Sequence, residues 1–85
     1  METRVAVMSM IVENPDSVEQ LNALLHENRQ YHIGRMGIPY PKRNISVISV
    51  VLDAPQNVTA ALAGKIGTLP GVSVKTALSS VISQE

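Results

Sequence analysis

The sequence predicts an α+β sandwich: one four-stranded antiparallel sheet with two helices on one face. Three observations carry this. The chain has 85 residues, the size of one domain, read here as residues 1–85. Its apolar residues alternate between strand and helix periods in the order strand, helix, strand, strand, helix, strand. Two of the strand segments are apolar on both faces, as central strands are.

Residues 4–13 (RVAVMSMIVE) form the first strand. Val5, Val7 and Ile11 fall on one side, and Ala6, Met8, Met10 and Val12 on the other. Asn14, Pro15 and Asp16 stop it. Asn14 suits a helix N-cap and Pro15 the first helical position, where a missing N–H costs nothing. Asp16 with Glu19 offers a rival capping box. Val18, Leu21, Leu24 and Leu25 make one helical stripe, so a helix runs from about residue 15 to about residue 28.

Residues 31–38 read as a weaker strand, irregular near Gly37 and ended by Pro39 and Pro41. Lys42, Arg43 and Asn44 form the connection, and Ile45 to Leu52 is the clearest strand in the chain. Asp53, Ala54 and Pro55 open the second helix, with Pro55 in its first turn. Val58, Leu62, Ile66 and Leu69 give its core stripe, and Gly67 a terminator. Pro70-Gly71 has the form of a type II turn. Val72, Val74, Thr76 and Leu78 alternate with polar or small residues, as in a half-buried edge strand. The tail from Ser80 is weakly specified.

This order closes economically as the ferredoxin-like βαββαβ sandwich, each half a right-handed crossover. Two helices cover one sheet face only. The other exposes Val, Ile and Met side chains, which a monomer rarely tolerates. A homo-oligomer, dimer or tetramer, is therefore expected. Ser9, Ser46 and Ser49 are the polar residues positioned to dilute that patch.

Composition excludes several classes. Lys plus Arg equals Asp plus Glu, seven each, which removes the long-range field behind nonspecific nucleic-acid binding. There is no Cys, so no disulfide framework, thiolate metal site or thiol nucleophile. Tyr31 and Tyr40 are the only aromatics, which argues against base-stacking platforms. No segment is long and apolar enough to span a bilayer, and the N-terminus has no leader pattern, so a cytoplasmic protein without membrane contact is expected. His26 and His32 are six apart, not a metal-ligand spacing, and read as surface or capping histidines. No catalytic set, metal site or cofactor is expected, and no helix-turn-helix is visible.

Arg35, Lys42 and Arg43 cluster around the second hairpin. Arg35 between Gly34 and Gly37 reads as an anion contact, or as an edge-strand charge that blocks aggregation. DNA contact would need these three residues duplicated by symmetry, or a separate partner protein. Ala60, Gly64 and Gly67 lie on the back of the second helix, where glycine is costly and marks a place of close approach. Arg35, Gly37, Gly64 and Lys65 are thus the candidate ligand or anion contacts.

The stretches RMGIP (Arg35 to Pro39), NISVISVVL (Asn44 to Leu52) and AALAGKIGTLPGVSVKT (Ala60 to Thr76) resemble the family of iron-only hydrogenase system regulators. The resemblance covers about residues 4–77. It is most specific at Leu62, Gly64, Lys65, Ile66, Gly67, Gly71, Val72, Val74, Lys75 and Thr76, with Arg35, Gly37, Pro39 and Asn44 also matching. It implies an ACT-like, ferredoxin-like fold, similar to the C-terminal domain of nickel-responsive repressors. It brings no catalytic residues, so a non-enzyme is expected. The function it implies is a small, oligomerising, ligand-sensing regulator of transcription or maturation in an iron-only hydrogenase system. The alternative is an adaptor that binds a hydrogenase-related protein without touching DNA.

Overall fold

The computed structural model describes residues 2–84. Strand β1 (Glu2–Val12) leads into α1 (Val18–Glu27) through a 3-10 turn at Pro15–Ser17. Strands β2 (His32–Tyr40) and β3 (Ile45–Ala54) form a hairpin, followed by α2 (Gln56–Gly67) and β4 (Val72–Leu78). The four strands lie in the order β2-β3-β1-β4, all neighbours antiparallel. This is the predicted ferredoxin-like arrangement, with the two strands apolar on both sides at the centre. A two-residue strand, β5 (Ser83–Gln84), pairs with Glu2 and Thr3 and gives the tail an order its composition did not announce. No described helix is long and apolar enough to cross a membrane.

The core lies between sheet and helices. Met8, Met10 and Val12 of β1 and Ile48, Val50 and Leu52 of β3 meet Leu21 and Leu25 of α1 and Leu62 and Ile66 of α2. Val18 and Leu24, on the same stripe of α1, are half-buried at its margin.

Several local expectations resolve. Asn14 is the cap: its Oδ1 accepts the Asp16 N–H at 3.0 Å, and the Asp16–Glu19 box is not used. Pro55 precedes α2 as its cap residue instead of entering the first turn, and its carbonyl accepts from the Val58 and Thr59 N–H groups. Strand β2 runs through Pro39 to Tyr40, and its irregularity falls between His32 and Gly34, not at Gly37. As an edge strand β2 has an unpaired side, where a proline forfeits no ladder bond. Ser46 faces the helices, opposite Pro39, so it does not dilute the open face. Strand parity requires this, because residues an odd number apart, such as Ser46 and Ser49, point to opposite sides.

One turn locks the two halves together. The Val72 N–H donates to the Leu69 carbonyl, and Gly71 between them has φ +69°, as a type II turn demands. The Gly71 carbonyl accepts the Glu13 N–H at 2.7 Å, and the Ser17 hydroxyl donates to the Pro70 carbonyl at 2.6 Å. A Cβ on Gly71 would lie 2.7 Å from Asn14 Cβ and 2.9 Å from its backbone nitrogen. Gly71→Ala is therefore expected to destabilise the fold by about 1–3 kcal/mol, from the left-handed backbone together with the clash. Chemical denaturation monitored by circular dichroism measures it.

Candidate functional site: an open sheet face and a groove beside the first helix

The sheet face away from the helices is built by alternation. Cross-strand partners share a face, so Met36, Ser49, Ser9 and Lys75 form one row across β2-β3-β1-β4. Ile38, Val47, Ile11 and Ser73 form the next row, and Gly34, Val51, Val7 and Ala77 lie on the other side. Tyr40 pairs with Ile45, and Val5 with Asp53. Six apolar side chains here, Val5, Val7, Ile11, Met36, Ile38 and Tyr40, keep 40–58 % of their surface exposed. Together they make a patch on the order of 600 Å², the upper end of what monomers leave in water. The serines at its centre satisfy each other, Ser9 Oγ and Ser49 Oγ lying 3.0 Å apart. A covering surface would therefore leave neither hydroxyl without a partner.

The helix side of β2 is different. A cavity of about 230 Å³ is lined by Arg35, Gly37, Ile38, Pro39, Ser46 and Ile48. A second, of about 200 Å³, shares Pro39 and Ser46 and continues past Tyr40 to Pro15 and Val18. Arg35 Nη2 donates to Asn22 Oδ1 of α1 at 2.6 Å on the exposed surface. Asn22 and Tyr40 were not among the sequence candidates. No local pattern marks Asn22, which lies 13 residues from Arg35.

The remaining candidates separate. Lys65 lines a cavity of about 420 Å³ between the helices, with Gln20, Ala23, Leu24, Thr68 and Leu69. Gly64 is on the exposed back of α2, where a Cβ would meet nothing within 4 Å, so no part of this chain comes close to it. Gly67, at the end of α2, would place its Cβ 3.5 Å from Val74. Lys42 and Arg43 occupy the turn at Pro41–Arg43. Arg35 sits about 17 Å further along the strand from Tyr40 and is bonded to α1, so the three cations do not form one patch. Among the described residues, no group of three or more His, Asp or Glu gathers as a metal site. Arg29 Nη1 donates to the His26 carbonyl at 3.1 Å, at the end of α1.

His32, where β2 begins, keeps Nε2 buried without a partner. Burial first, and then the charge of Arg35, hold its pKa below the ordinary 6.5.

The family model for TM1266-like proteins, "Iron-only hydrogenase system regulator, putative", matches residues 4–76. The chain belongs to this family. Its fold also matches solved structures. TM1266 from Thermotoga maritima is 31 % identical, with TM-score 0.86, covering 89 % of this chain and 96 % of that one. The C-terminal domain of the MgtC protein from Mycobacterium tuberculosis is 15 % identical, with TM-score 0.68 and coverage of 91 % and 88 %. CPII from Thiomonas intermedia K12, a nitrogen regulatory PII-like protein, is 13 % identical, with TM-score 0.58 and coverage of 99 % and 98 %. The last two show the fold alone. No curated protein matches. The family's description is that of a regulator.

Two predictions follow from this geometry. Gly64→Ala should raise stability by about 0.5–1 kcal/mol, because the helix loses a flexible residue and meets no obstacle. A Tm below the parent's would place a contact at Gly64 that the single chain does not contain. For His32, the depressed folded-state pKa means the unfolded chain takes up a proton first as pH falls. Its contribution to stability is complete above pH 6.5 and is lost below that, toward the folded pKa. Melting curves between about pH 7.5 and about pH 5.5 should show a decline that His32→Gln flattens.

Proposed function

We propose that this protein is a regulatory module of an iron-only hydrogenase system that works as a homo-oligomer, paired through the open sheet face with a second copy of itself. The carrying observation is that face. Its apolar patch is comparable in scale to the ~800 Å² per partner of a standard interface. Its centre is a self-satisfied serine pair, with Lys75 beside Ser9 on the edge strand β4 and Asp53 opposite Val5. Such a surface suits an isologous partner, since one patch then serves both subunits. Membership of the family supports placing the module in that system.

Regulation through assembly is favoured over direct reading of DNA. The chain carries equal numbers of acidic and basic residues, and Arg35 stands apart from Lys42 and Arg43. The adaptor reading uses the same face for a different protein.

Native mass spectrometry of the full chain, with a Val7→Glu/Ile11→Glu variant beside it, tests the proposal. The expected result is a dimer or tetramer for the parent and a folded monomer for the variant, with unchanged circular dichroism. A parent that is monomeric at tens of micromolar, or a variant that still assembles, overturns self-pairing through this face. Sequence-specific retardation of DNA by a monomer would overturn regulation through assembly.

A further inference from the structure

We infer that the groove between α1 and β2 is a binding site for a small aliphatic monocarboxylate, its carboxylate held by Arg35 and its chain laid over Gly37 and Pro39. The site lies on the sheet face opposite the proposed pairing surface.

The space is built in. The two adjoining cavities, about 230 and 200 Å³, run along the helix side of β2, where neither helix covers the strand. Gly37 forms part of the floor, opposite buried Ile48. Its φ is not left-handed, and a Cβ there would touch nothing within 4 Å. Neither backbone geometry nor packing requires glycine at 37, and glycine weakens a strand. What it leaves is room along about 13 Å of strand between Arg35 and Pro39.

The polar end is preorganised. Asn22 Oδ1 holds Arg35 through Nη2 at 2.6 Å. That partner is a neutral amide, so it orients the guanidinium without cancelling its charge. A guanidinium has five N–H donors in a rigid fork, which leaves others free for a bidentate carboxylate. The walls beyond it, including Val12, Val18 and Ile48, are aliphatic. No Asp or Glu lines either cavity, so a ligand ammonium would find no counter-charge. One cation and no anion select a simple carboxylate over an amino acid.

An NMR titration of the 15N-labelled full chain with sodium hexanoate tests this, with butanoate, hexanamide and 2-aminohexanoate as comparisons. Saturable shifts are expected at residues 35–40 and 46–48 and not at Val7 or Ile11. Two methylenes fewer should weaken binding about fifteenfold, at roughly fourfold per methylene. Hexanamide and 2-aminohexanoate should each bind at least tenfold more weakly than hexanoate. Arg35→Gln should lose at least tenfold. Gly37→Val should abolish binding with no loss in Tm, because the added side chain fills open space. The Val7→Glu/Ile11→Glu variant should still give saturable shifts at residues 35–40, which separates the site from the sheet face. No saturable shift up to tens of millimolar, equal affinity for the amide, or full binding by Arg35→Gln overturns the assignment.

Discussion

Two helices cover one side of a four-stranded sheet, and no described element covers the other. Most of what distinguishes this molecule follows from that constraint. The helix side takes Met8, Met10, Val50, Leu52 and their partners out of water. The opposite side must either be polar or find a cover. Here it is Val, Ile, Met and Tyr around one hydrogen-bonded pair of serines. For a domain of this size, burying only roughly 60–65 % of its unfolded surface, added burial on that side is a substantial share of the total.

The helices can sit where they do because the turns at one end of the sheet are fixed to each other. Asn14 caps the entry to α1, Ser17 reaches back to the Pro70 carbonyl, and Gly71 admits the Asn14 backbone. These contacts tie the β1–α1 connection to the α2–β4 connection, two segments more than 50 residues apart in sequence. With that end fastened, α1 lies over the central strands and leaves β2 uncovered. Both the open face and the groove are products of this placement.

Much of the fold was legible because its determinants are local. Alternation in β1 and β3, the Asn14-Pro15 stop and the Pro70-Gly71 turn each act within a few residues. The β2 irregularity was misplaced because a glycine weakens a strand wherever it stands, while the register shift at His32/Gly34 depends on how the end of α1 delivers the chain to β3. Strand β5 was missed because a two-residue ladder is decided by where β1 begins, not by the composition of the tail. At the candidate site, Arg35 and Gly37 were legible as an oddity in a strand. Their link to Asn22 was not, since a helix–strand contact has no spacing rule to reveal it.

Strand β2 belongs to both surfaces at once. Met36, Ile38 and Tyr40 point to the open face, and Arg35, Gly37 and Pro39 to the groove. The two sets alternate along one backbone, so a shift of β2 that serves one surface is felt by the other. As an edge strand it pairs with β3 alone, and Arg35 ties it to α1. Linkage then sets the terms. A groove ligand changes self-association only by as much as it prefers the β2 position of the assembled state, and assembly strengthens that ligand's binding by the same factor. In a chain with one sheet and no spare element, the strand covered by neither helix is the place where a small molecule and a partner subunit can be coupled.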